Sequence, residues 1–202
     1  MDFLPLAWGS LSHMSANLSQ VILGVSDHWL VGHLPLEDER IQDRLNDNRS
    51  DFVSLSKAEV HLSGERPCIS QLPEIVVAKS KIEFVAVPSR QHEAPDERLV
   101  KYASKDVFNT QALLSRYYIA GECHLPSFSG DAVHTLAHQL ARFFPITEAA
   151  LSGRGIKQIR FPLLIANKDF VGCFHVDGDA QKKDEAVALE QLHALLAETE
   201  NG

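Results

Sequence analysis

Two histidines four residues apart, in His134-Thr135-Leu136-Ala137-His138, come closer to a chemical site than any other pattern in this chain. On a helix that spacing puts both imidazoles on one face, which is how a zinc site begins. Thr135 stands where a metalloprotease helix carries its general-base glutamate, so His134 and His138 point to a metal-dependent enzyme only as an alternative reading. Cys123, His124 and His175 are the candidate third ligands. With 10 histidines in the chain, such pairs arise by chance, and a polar helix face is the plainer account. Thiol chemistry could come from Cys123-His124 or Cys173-Phe174-His175, because a nucleophilic cysteine needs a base within reach. Neighbours on a strand point to opposite faces, so of these pairs Cys173 and His175 can share a face and Cys123 and His124 cannot. Core filling is again the plainer account. Gly153-Arg154-Gly155 with Lys157 and Arg160 could seat a phosphate but lacks the G-x-x-x-x-G-K order and reads as a short loop. Arg40, Arg44 and Arg49 form a basic stripe hemmed in by Glu37, Asp38, Glu39, Asp43, Asp47 and Asp51.

The elements that must position these residues occur twice. Trp29 to Leu36 runs against Tyr118 to Leu125 at a shift of 89, Phe52 to Val60 against Phe143 to Leu151 at 91, and Ile75 to Ile82 against Leu163 to Phe170 at 88. A repeat at a nearly fixed period means one supersecondary unit used twice. Apolar pattern and glycine positions are kept while most polar residues differ, which favours a shared scaffold over a shared active site. Each unit opens with a β-hairpin, the first turning at Ser26-Asp27 and the second at Ser115-Arg116. An amphipathic helix follows. Ile41 and Leu45 share one face of Leu36 to Asn46, with Asn46 placed to end it in a left-handed cap. Ser129-Gly130-Asp131 precedes the face formed by Val133, Leu136, Ala137 and Leu140. Phe52 to Leu62 and Phe144 to Leu151 then read as strands. Glu74 to Val87 and Leu163 to Val176 read as strand pairs bent at Lys79-Ser80-Lys81 and Asn167-Lys168-Asp169.

The expected organisation is an N-terminal segment over 1–18, a first β-rich unit over 19–88, a linker over 89–100, a second β-rich unit over 101–178, and a C-terminal helix and tail over 179–202. The linker follows from its prolines and charge, and the last helix from Val187, Leu189, Leu192, Leu195 and Leu196 on an Ala- and Glu-rich background. The fold class expected is α+β: two tandem, homologous, strongly bent sheets, each with an inserted helix.

Composition narrows the function. With 27 acidic and 19 basic residues and a net charge of −8, a general nucleic-acid binder is disfavoured, since phosphate affinity rests on Lys and Arg. Three cysteines without a C-x-x-C spacing read as reduced thiols. No stretch approaches the roughly 18 apolar residues of a membrane helix, and the start lacks a signal peptide's basic region. A cytoplasmic location without membrane insertion is the expectation.

Gln20 to Leu34, with Gly32 and Gly121 at matching places, and the Val76 to Val85 pair resemble the Sm-like barrel. That family binds RNA through an Asp and Asn near the second strand and an Arg-Gly in the closing turn. This chain has a helix and Lys79-Ser80 or Asn167-Lys168 there, so RNA binding does not carry over. Arg40-Ile41-Gln42-Asp43-Arg44-Leu45-Asn46 followed by Phe52 is similar to small bacterial domains of unknown function. That resemblance implies fold and bacterial origin and adds no chemistry or cofactor. The function expected is non-enzymatic: an adaptor or scaffold in a protein complex, engaging other proteins or copies of itself through sheet edges, the apolar residues Phe3, Leu4, Leu6 and Trp8, and Arg40 and Arg44. An RNA-binding module using Arg40, Arg44 and Lys79 is a further alternative.

Overall fold

The computed structural model describes residues 17–36, 39–63, 68–89, 106–125, 131–153 and 155–177. The apolar start with Phe3, Leu4, Leu6 and Trp8, most of the expected linker and the expected C-terminal helix lie outside the described residues. Ten strands follow in chain order: β1 (Asn17–Val25), β2 (His28–Leu36), β3 (Phe52–Leu62), β4 (Cys68–Ala78), β5 (Ile82–Val87), β6 (Asp106–Leu114), β7 (Tyr117–Leu125), β8 (Phe143–Gly153), β9 (Ile156–Asn167) and β10 (Val171–Val176). All ten join one antiparallel sheet in the order β10-β6-β7-β8-β9-β5-β1-β2-β3-β4.

The α+β expectation of two strongly bent units, each with an inserted helix, is therefore overturned. The described residues are mostly β and form a single sheet. The helices shrink to α1 (Ile41–Asn46) and α2 (Ala132–His134), the latter running into a π-helical turn over Thr135–Gln139. Two apolar residues four apart define one buried turn: Ile41 and Leu45 are the buried residues of α1.

Local chemistry sets the turns. β1 and β2, like β6 and β7, are joined by two residues, and Ser26 (φ 51°) and Ser115 (φ 20°) adopt the positive φ that such tight hairpins require. In β3 and β8 the pairing with the preceding strand slips by one residue beside Lys57 (φ 50°) and Glu148 (φ 47°), which makes a bulge in each. Gly121 sits against the second bulge, where a Cβ would lie 2.6 Å from Ile146 Cγ2 and 2.7 Å from the Thr147 carbonyl. Gly32 holds the matching place in the first. These glycines allow two backbones to approach closely.

The two helices end alike. Lys79 Nζ donates to the carbonyls of Arg44 (2.9 Å) and Asp47 (2.8 Å), and Lys168 Nζ to those of Ala137 (3.4 Å) and Leu140 (3.1 Å). A cation at the last turn satisfies carbonyls that have no partner within the helix. Each lysine opens a 3-10 turn, Lys79–Lys81 or Lys168–Phe170, leading into β5 or β10.

The seam between halves is β5 against β9, with Phe84, Val85, Ala86 and Val87 opposite Ala166, Ile165, Leu164 and Leu163. Every residue of β5 is buried. Successive side chains alternate faces: Val85 and Val87 join the apolar core lined by Val21, Leu23, Leu34 and Leu55, while Phe84 and Ala86 join the one lined by Tyr117, Ile119, Phe144 and Ile146. Phe143 and Ile165 from the second half reach into the first core. Both faces of the seam are thus covered, which is why its strands read as continuous apolar runs.

Candidate functional site: the two open sheet edges

His134 and His138 lie on α2 and the π-helical turn after it, both exposed, with ring centroids 5.0 Å apart. Among the described residues no third His, Cys, Asp or Glu completes them into a three-ligand group. Cys123 is buried, its thiol 3.5 Å from the Pro145 carbonyl, and burial pushes that thiol up to about 11, with a Thr110 hydrogen bond working the other way. At neutral pH it is a protonated core residue. Its neighbour His124 faces outward to Thr147 Oγ1 at 2.9 Å. His175 pairs with Asp177 at 2.7 Å.

The basic stripe is held locally. Arg44 meets Glu39 at 3.4 Å. Arg49 donates to both carboxylate oxygens of Asp47, and those hydrogen bonds hold the Asp47 carboxyl down at about 2. Arg40 immediately precedes α1. Lys79, which the RNA reading needs at the surface, is buried with its ammonium on helix carbonyls. Burial, more than any neighbouring charge, lowers its pKa.

One cluster that sequence reading missed has metal-ligand chemistry. One ligand atom each from Glu59, His61 and Cys68 lies within 4.8 Å of the others, because His61 and Cys68 are opposite one another on β3 and β4. Its members already hold internal partners: His61 Nε2 lies 3.3 Å from Glu59, Gln71 donates to Glu59 at 3.2 Å, and the Cys68 thiol donates to the Ser70 carbonyl at 3.1 Å.

A larger feature is the pair of sheet ends. β4 and β10 each have a strand partner on one side, β3 and β6 respectively, and among the described residues none on the other. β4 presents Ile69, Leu72 and Val76 as exposed apolar side chains along eleven residues, and the adjoining end of β3 exposes Phe52. Unpaired N–H and C=O groups beside exposed apolar residues are a template for another strand.

The two halves have the same internal order, β5-β1-β2-β3-β4 and β10-β6-β7-β8-β9. Their ladders give the correspondence of positions. Phe52 opposite Ala78 matches Phe143 opposite Asn167, and Gly24 opposite Phe84 matches Leu113 opposite Cys173. From β4 onward the shift is thus 89, one residue from the shift of 88 read for Ile75 to Ile82. At 89, Val76 corresponds to Ile165, Lys79 to Lys168 and Val87 to Val176. Among the described residues no helix is long and apolar enough to cross a bilayer. Comparison with protein-family models, curated proteins and solved structures finds no match to this chain.

Proposed function

We propose that this protein is a non-enzymatic assembly component that engages other protein chains by adding strands to its open sheet edges. The observation that carries this reading is the stretch of the β4 edge that follows Pro73, Glu74 to Ala78, in which Val76 is 67% exposed. Main-chain hydrogen bonds would supply affinity, and the alternate side chains Ile75 and Val77 on one face against Val76 on the other would supply specificity. Exposed apolar side chains on an unpaired edge cost solubility, and a chain that keeps them without charge or bulge at Val76 gains from covering them.

A photo-crosslinking residue at position 76 tests it in the native cells. Irradiation is expected to give a protein adduct from position 76 and none from position 118, where Tyr118 is exposed on the inner strand β7. Absence of an adduct at position 76 and at position 174 on β10 would overturn the reading.

A further inference from the structure

The internal seam already shows how two such edges join. It pairs the fourth strand of the second half, β9, with the fifth strand of the first half, β5. Among the described residues, what remains without a second strand partner at the ends of the sheet is the fourth strand of the first half, β4, and the fifth strand of the second, β10. We propose that copies of this chain associate head to tail, with β4 of one copy pairing antiparallel with β10 of the next. This deepens the edge-pairing reading above and rests on it.

The seam dictates the register. Moving each of its pairs by the 89-residue correspondence places Cys173 opposite Val77, Phe174 opposite Val76, His175 opposite Ile75 and Val176 opposite Glu74 of the next chain. The limits of the contact follow as well. Beyond Val87 and Leu163 the seam runs into Pro88 and Pro162, which have no N–H to offer a ladder. Pro73 sits at the position of Pro162 and ends the free stretch of β4 in the same way.

Burial supports the same conclusion. Ile165 at the seam is 1% exposed while Val76, its counterpart on the free edge, is 67% exposed. Phe143 is 0% exposed while its counterpart Phe52 is 53% exposed. Val85 is buried while its counterpart Phe174 is only partly so. At Val76, Phe52 and Phe174 the free ends therefore leave more exposed the apolar positions that are buried at the seam. A contact joining two different surfaces of the same chain repeats until rotation closes it into a ring, or else runs on as a filament.

The intact chain provides the test. Sedimentation velocity and native mass spectrometry are expected to give a mass of several chains. Val76→Lys, which sets a charge on the edge strand, is expected to give monomers that melt at the temperature of the wild-type chain diluted until it dissociates. Register is read by disulfide formation: in Cys68→Ser/Val77→Cys, mild oxidation through native Cys173 should yield covalently linked multiples. Cys68→Ser/Val76→Cys, whose new thiol points to the other face, should not. A wild-type chain that is monomeric at every concentration overturns the proposal, as does an oligomer that survives Val76→Lys without the position-77 disulfide. If the purified chain is monomeric but position 76 crosslinks to a different protein in cells, self-association fails and the edge-pairing reading stands. If neither association nor crosslinking occurs, both fail.

Discussion

The side-chain amide of Asn46, at the end of α1, pairs with both backbone groups of Phe143, at the start of β8. Asn46 Nδ2 donates to the Phe143 carbonyl at 2.8 Å and the Phe143 N–H donates to Asn46 Oδ1 at 2.9 Å. One side chain thus acts as a strand partner for the other half of the molecule, with Gln42 adding a longer bond to the same carbonyl at 3.3 Å. Asn46→Ala strands the Phe143 N–H in a buried setting, and an unpaired buried donor costs about 1–3 kcal/mol. Urea unfolding should show that loss. If the seam also loosens, the transition will broaden or divide as the halves separate. Asn46→Ala with wild-type stability would show that water replaces the amide without loss.

Glu83 gives the protein a pH dependence of defined sign. It is 3% exposed at the seam, one of its carboxylate oxygens lacks a partner, and burial raises its pKa above the ordinary glutamate value despite hydrogen bonds from the Ser115 side chain and Ser26 backbone. A raised folded-state pKa means that the folded form holds a proton the unfolded form has already released. The Glu83 contribution to stability is therefore most favourable below the ordinary glutamate pKa. It declines as pH rises through the interval up to the raised value and stays at its least favourable above it. Glu83→Gln keeps the shape and removes the charge, so its melting temperature should exceed wild type at neutral pH. The difference should vanish on acidification.

Lys79 and Lys168 make the same cap in the two halves, but Lys79 is buried and makes shorter bonds. Hydrogen bonds from charged groups contribute about 1.5–3 kcal/mol each when well formed and buried. Lys79→Met should therefore cost more stability than Lys168→Met in parallel chemical denaturation. Equal losses would place the two caps on the same energetic footing in spite of their burial.

Much of the sheet was legible in the sequence, because its hairpins, bulge glycines and bend lysines are local chemistry. The register of β4 against β9 was not, and the reason lies in the residues. Ile75-Val76-Val77-Ala78 and Leu163-Leu164-Ile165-Ala166 are apolar throughout, so a slip of one residue leaves the match equally good. β9 is covered at the seam and so shows no alternation to fix its register, and β4, although it lies at an open edge, carries the same unbroken apolar run. The signal that resolves it was present in punctuation: Pro73 with Pro162 and Lys79 with Lys168 coincide at a shift of 89. The seam was beyond reach for a different reason. Asn46 reads as a left-handed helix cap, yet α1 ends in extended backbone at Asp47 and the Asn46 amide serves a strand 97 residues away. Which edges meet is decided by such long-range pairings, and local pattern carries no trace of them.

Phe143 and Phe52 occupy corresponding positions at the starts of β8 and β3, one covered by the seam and one open to solvent. Deleting a buried phenylalanine side chain costs about 3–5 kcal/mol, whereas a change at an exposed site away from special features stays within about 0.5 kcal/mol. Phe143→Ala should accordingly lower the melting temperature sharply. Phe52→Ala should leave the isolated chain's stability near wild type, measured in dilute solution. Its effect should appear with concentration: if Phe52 is covered by the next chain as Phe143 is covered by the seam, its loss weakens association without weakening the fold. A Phe52→Ala chain that unfolds as easily as Phe143→Ala would mean that Phe52 is already packed within its own chain.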